Sequence, residues 1–218
     1  MKRFTIFLLL ILATMCGSTG CDDSKDSKKY YNNSESESDE YESESRLNAK
    51  RNISISNLKQ IGLALCQYAY DNREKFPGAN SRGSAIGGLD TLFVNEYLTD
   101  TSVYITPYDK AGKPAEGTTL NPAENCSYVY IRGLIAGNYG SDFPLVFEKP
   151  WRLPKGTDKI CVMFADGSAR IYTIPGVTKM NCRQVFEAIV LQTFPPLLQT
   201  QEYREKIIPE LQFADAIR

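Results

Sequence analysis

The chain has 218 residues, no histidine and a formal net charge of −1. The missing histidine excludes His-based triads, His general bases and His metal ligands, which leaves carboxylates, Lys, Tyr, Cys and Ser as available chemistry. The near-neutral total conceals a split. Residues 22–45 carry nine acids against three lysines, and residues 46–218 carry twenty bases against seventeen acids, too mild a surplus to predict nucleic-acid binding.

Met1-Lys2-Arg3 followed by the apolar run from Phe4 to Met15 has the charge and length of a secretory signal, and it is too short to span a membrane. Small residues, Ser18-Thr19-Gly20, stand directly before Cys21. That order resembles a lipobox, so residues 1–20 are read as a lipoprotein signal peptide and Cys21 as the lipid attachment site. The bland counterpart is a soluble secreted protein cut near Gly17. Asp22, after the cysteine, resembles an inner-membrane retention signal.

Residues 21–45 form the next segment, dominated by alternating Ser and Glu from Ser34 to Ser45. Such a run buries nothing and repels itself, so it predicts an extended polar tether. A cation-binding or phosphorylated tail is the functional alternative.

A helix is predicted over Leu47–Asn72, because Leu58, Ile61, Leu65 and Tyr68/Ala69 recur at spacings of three and four and draw one apolar stripe. Ser54 or Ser56 is a candidate N-cap, and Asn72 a candidate left-handed C-terminal residue before Phe76-Pro77-Gly78. Residues 78–88 read as a loop. Leu89, Leu92/Phe93 and Tyr97 predict a short second helix over 88–98, and Tyr104–Asp109 reads as extended. Ser127–Gly133 and Pro144–Lys149 are β-prone runs. The clearest β signal is Lys159–Ala165, Asp166-Gly167, then Ser168–Ile174, a hairpin with both turn residues expected at positive φ. Ile160, Val162 and Phe164 share one face, which is assigned to receive the opening helix. From Asn181 a helical pattern returns, with Val185, Ile189 and Gln192 and their neighbours Phe186, Val190 and Leu191 suggesting a helix apolar on most sides and therefore buried. A last helix is expected over Gln201–Ile217, kinked at Pro209.

Beyond the leader the cysteines are Cys66, Cys126, Cys161 and Cys182. Past a secretory signal they predict one or two disulfides, with Cys126–Cys161 favoured because both lie at or in β-prone runs. No two have the close spacing of common zinc motifs, and a catalytic thiol lacks a His partner. For acid–base chemistry the candidates are Asp166, Asp158, Glu148 and Asp142, though Asp166 is explained by its turn. For stacking on sugars the candidates are Tyr104, Tyr108, Tyr139 and Trp151, expected in exposed loops.

Several pieces match one family in order: Ser56–Leu65 with Tyr68–Asn72 and Phe76-Pro77, then Ser127–Tyr130, Pro144–Pro150 and Val162–Ser168. Together they resemble bacterial prepilin-like proteins, relatives of type II secretion pseudopilins marked by a His, nine residues and Asp-Gly. The departures are Gly156 at the position of that His, Thr106-Pro107 where relatives often have Cys-Pro, and a leader with Arg3 before Phe4 and Leu8 in place of the prepilin Glu. The resemblance implies an α+β, pilin-like domain over 46–178, its long N-terminal helix packed on a small antiparallel sheet, with a C-terminal helical extension over 179–218. It implies a headgroup without a fibre stem.

The sequence reading is therefore a non-catalytic lipoprotein on the extracytoplasmic, periplasmic side of the cell membrane. Its partners are the bilayer, through Cys21, and envelope or secretion-system proteins, with no cofactor. A glycan-binding lipoprotein is the alternative, and a carboxylate-dependent hydrolase the third reading.

Overall fold

A five-stranded antiparallel sheet lies between two helices. The computed structural model describes residues 44–78, 88–132, 140–193, 200 and 212–216, within one compact unit, 42–218. Helix α1 spans Glu44–Asp71, α2 Asp90–Val94 and α3 Cys182–Thr193. The strands are β1 (Tyr128–Arg132), β2 (Pro144–Glu148), β3 (Lys159–Phe164), β4 (Ala169–Thr173) and β5 (Gln212–Ala214). Their order across the sheet is β4-β3-β2-β1-β5, every neighbour antiparallel. The architecture is α+β.

α1 begins earlier than its apolar stripe requires. Glu44, from the end of the acidic stretch, sits in the first turn, where a carboxylate complements the helix dipole. It accepts from Arg51 Nη1 at 3.0 Å and Lys159 Nζ at 2.7 Å, tying the helix start to β3. Those two bonds outweigh a little burial and hold its carboxyl below the usual range. The helix therefore runs through Ser54 and Ser56, neither of which caps it. Its left-handed exit is made by Arg73 (φ 58°) and Glu74 (φ 63°), while the Asn72 amide donates back to the Tyr68 carbonyl at 2.8 Å.

Leu58, Ile61, Ala64, Leu65 and Ala69 are all buried, as the three-and-four spacing predicts. The face of β3 that meets them is not the expected one. Cys161 Sγ lies 3.8 Å from the Arg51 carbonyl, and a Cβ on Gly62 would come within 3.3 Å of Met163 Cγ. Alternation along the strand then turns Ile160, Val162 and Phe164 to the opposite layer. That layer contains α3 and a chain of rings: Phe143–Phe186, Phe186–Phe213 and Phe213–Phe147 have centroids 5.6, 6.1 and 6.3 Å apart. Because β3 is buried on both sides, its pattern does not mark which side takes which helix.

The hairpin closes on three residues. Phe164 N donates to Ser168 O at 2.8 Å and Gly167 N to Phe164 O at 2.9 Å, so the loop is Ala165-Asp166-Gly167. Gly167 alone takes positive φ (79°), as in a type I turn followed by a left-handed residue. The same loop presses on α1: a Cβ on Gly62 would lie 3.2 Å from Gly167 Cα.

Two other expectations change. The run Tyr104–Asp109, expected to be extended, begins on the last residue of a 3₁₀ turn, Thr101–Tyr104, and bends again where Asp109 N donates to Thr106 O at 3.0 Å. The left-handed residue Glu96 (φ 60°) stops α2 after five residues. The C-terminal segment contributes more than a helical extension. α3 is a helix as predicted, but it is buried along one stripe (Val185, Phe186, Ile189, Val190) and leaves Leu191 and Gln192 exposed. Residues 212–214 add β5 to the sheet beside β1. Phe213 packs between Phe147 and Phe186, and this non-local burial overrides the helical spacing of Ala214 with its neighbours. Pro209, the expected kink, lies outside the described residues, as do Cys21, the tether to residue 43 and Tyr139. No helix among the described residues is long and apolar enough to cross a membrane.

Candidate functional site

Charged side chains are driven inside at one end of the sheet. β2 is apolar through Phe147 and then continues Glu148-Lys149-Pro150, with Glu148 1 % and Lys149 0 % exposed. Such groups persist in a core only when hydrogen-bonded or paired. Adjacent residues of an extended chain point to opposite sides, so each meets its own partners.

Glu148 shares a face with Val146, opposite Tyr128, on the side covered by α1. Its Oε1 accepts from the Tyr108 hydroxyl, and its Oε2 from the Cys161 N–H at 2.8 Å. No cation forms an ion pair with it among the described residues. Burial therefore wins over the hydrogen bonds and pushes its carboxyl above the usual range. Burial first, then the Glu148 charge, raises the Tyr108 hydroxyl and the Cys161 thiol far above their ordinary values. Ser54 and Tyr128 face the same carboxylate, and their buried hydroxyls complete no hydrogen bond among the described residues. Beside them the Asn57 amide donates to the Ile105 carbonyl at 3.1 Å.

Asp109, next in chain to Tyr108, is served differently. Its Oδ1 accepts from Ala111 N (3.0 Å), Gly112 N (2.9 Å) and Arg152 Nη1 (3.0 Å). Its Oδ2 accepts from Ser127 Oγ at 2.7 Å, and that oxygen accepts in turn from Thr106 N at 3.1 Å. Lys149 Nζ donates to the Pro122 carbonyl. Burial lowers the Lys149 ammonium, opposed by the nearby Cys126 and Asp215. Asp215 follows β5, accepts from Leu89 N at 3.0 Å, and is raised by burial. Side chains remote in sequence thus join loop 106–125 to the end of β2, and the residue after the C-terminal strand to the start of α2.

The residues singled out from sequence do not converge. Asp166 Oδ1 accepts from Ser168 N at 2.8 Å and shapes the hairpin. Asp158 Oδ1 accepts from Gly176 N at 2.9 Å, and Asp142 pairs with Arg170 at 3.3 Å on the surface. Each carboxylate thus has a separate local role. Among the aromatics, Tyr104 is fully buried and donates to the Leu98 carbonyl at 3.0 Å, Tyr108 is spent on Glu148, and Trp151 is half-buried. No exposed stacking platform forms from these three.

The expected Cys126–Cys161 bridge is not made, and none of Cys66, Cys126, Cys161 and Cys182 is in a disulfide. Cys126 stands just before β1 and Cys161 lies in β3, with β2 between them. Two strand spacings, about 9.6 Å, exceed the reach of a disulfide. Burial raises the thiols of Cys66 and Cys126, the latter up to about 12, which disfavours the reactive thiolate. Among the described residues no three Cys, Asp or Glu side chains are grouped to hold a metal ion.

Asp109, Lys149, Arg152 and Asp215 were not picked out by sequence. A signal existed for two: Lys149 and Arg152 flank Pro150-Trp151 directly after an apolar strand, an anomalous place for charge. The described part is thus an α+β protein with a buried polar network where β1 and β2 meet the loop 106–125. Comparison of the chain with protein-family models, curated proteins and solved structures finds no match.

Proposed function

We propose that the chain is a non-catalytic envelope lipoprotein with a pseudopilin-like headgroup that works by protein–protein contact at the cell envelope, beside a secretion or pilus-like system. Cys21 carries the lipid, residues 22–43 stand the domain off the membrane, and the headgroup faces the periplasm. One observation carries the reading: a 28-residue helix begins at the end of the acidic stretch and lies along β3 and β4 of an antiparallel sheet. A leading helix laid on an antiparallel sheet is the arrangement that the prepilin-like resemblance implies. The buried polar network fits this role, because its groups are spent on holding loops to the sheet. On the outer side of α1, Leu63 and Tyr70 are 71 % and 87 % exposed, one above the other at a spacing of seven.

The test is made on the full chain in its own envelope, with a photo-crosslinking residue at Leu63 or Tyr70. Adducts with secretion or pilus-type proteins are expected, and globomycin should accumulate an uncut precursor. Retention of polysaccharide with no protein adduct, or normal processing under globomycin, would overturn the corresponding half of the reading.

A further inference from the structure

Among the described residues, the outer edge of β4 carries backbone groups that are open except at the Thr173 carbonyl. In the β3–β4 ladder, Phe164 N donates to Ser168 O and Ile174 N to Asp158 O. Hydrogen-bonded pairs alternate along an antiparallel ladder, so Arg170 and Tyr172 turn their N–H and C=O groups toward β3. Ala169, Ile171 and Thr173 turn theirs away. The Gln192 side chain reports the same direction, donating to Thr173 O at 3.2 Å from outside the sheet. Among the described residues no other hydrogen bond reaches this edge.

Open edges are usually blunted by proline, a bulge, lysine or an inward charge. β4 reads Ala169-Arg170-Ile171-Tyr172-Thr173, regular through its pairing with β3. Its one charge, Arg170, is matched by Asp142 and lies over the Phe164 ring, 5.1 Å from the centroid. Ile171, in the middle, is 42 % exposed.

We propose that β4 pairs antiparallel with β4 of a second copy of this chain, about a two-fold axis at Ile171. The strand is self-complementary in that register. Ile171 meets Ile171 and exchanges both backbone hydrogen bonds with it, and Ala169 and Thr173 exchange theirs crosswise, the Ala169 N–H of the second copy joining or displacing the exposed Gln192 amide at the Thr173 carbonyl. Arg170 falls opposite the partner's Tyr172, whose ring can take a cation on its face. A register centred on Arg170 instead would set two guanidinium groups opposite each other, which is unfavourable. The pairing joins two five-stranded sheets into one and covers the exposed Ile171. It is independent of the lipid anchor and of any envelope partner.

The experiment uses the full chain in detergent with Cys66→Ser and Cys182→Ser, so that no other accessible thiol of the folded part reacts. Under mild oxidation Ile171→Cys should give a covalent dimer. Thr173→Cys alone should not, because its mate lies four residues away along the edge. A mixture of Ala169→Cys and Thr173→Cys chains should restore the crosslink. In sedimentation, Ile171→Lys should weaken dimerisation about tenfold or more, with a thermal melt showing the fold intact. A chain that stays monomeric at all concentrations would overturn the proposal. So would a dimer untouched by Ile171→Lys, equal crosslinking at Thr173, or an edge occupied by a foreign strand.

Discussion

Asp109 and Glu148 are two carboxylates taken out of water within one network, and they are treated in opposite ways. Asp109 accepts four hydrogen bonds, one from a guanidinium. Glu148 accepts two, both from neutral donors. The same short segment serves both, since Tyr108 donates to Glu148 while its neighbour Asp109 turns to Arg152. The difference teaches what burial costs a charge. With a cation and a full set of donors, a buried carboxylate has every oxygen engaged and organises a loop. With neutral donors alone, desolvation dominates and the proton is favoured.

The comparison is broken most severely at Asp109. Asp109→Ala would strand the largely buried Arg152 guanidinium, whose side chain is 16 % exposed, and orphan two backbone N–H groups. A loss of about 3–5 kcal/mol is expected, read in a urea melt at neutral pH. Asp109→Asn keeps acceptors for part of the set and should cost less. Equal, small losses for both would mean that the network does not hold loop 106–125.

The lid over Glu148 gives the next largest effect. α1 keeps that side of the sheet dry, and Leu65 is fully buried beneath it. Leu65→Ala should cost roughly 2–5 kcal/mol through lost burial and a cavity, whereas exposed Gln67→Ala should stay within about 0.5 kcal/mol. Hydrogen exchange sharpens the contrast between the two carboxylates. In Leu65→Ala, the Cys161 N–H on Glu148 should exchange faster, while the Ala111 and Gly112 N–H groups on Asp109 change less. Uniform acceleration would mean that α1 and the loop open together.

How much of this was legible follows from the range of each interaction. The stripe of α1 was readable because its residues lie three and four apart. The β3–β4 hairpin was readable because Asp166-Gly167 sits between two β-rich runs, although one φ rather than two proved positive. Choosing the face of β3 that takes α1 required knowing that α3 covers the other. β5 required knowing that Phe213 finds Phe147 and Phe186. The Tyr108–Glu148 bond spans 40 positions and Leu89–Asp215 spans 126, and no local spacing marks either. Tyr104 and Tyr108, expected in exposed loops, failed for the same reason: a lone Tyr gives no sign of whether its ring is wet.

Removing the charge that burial disfavours is the smallest change and the most direct test of the contrast. Because burial raises the Glu148 carboxyl in the folded state, the folded chain binds this proton more tightly than the unfolded chain. Stability from this site is therefore greatest below the ordinary carboxyl value and falls as pH rises through the raised folded value. Glu148→Gln removes that titration. Its carbonyl oxygen can still accept from Tyr108 or Cys161, and its amide can donate to the unsatisfied Ser54 and Tyr128 oxygens. The variant should match the parent in melts below the carboxyl range and exceed it on the order of 1 kcal/mol at neutral pH. Asp215, also raised by burial, leaves both proteins a residual slope of the same sign. A Glu148→Gln protein less stable than the parent at neutral pH would show that the Glu148 carboxylate is held ionised by a partner other than the two neutral donors.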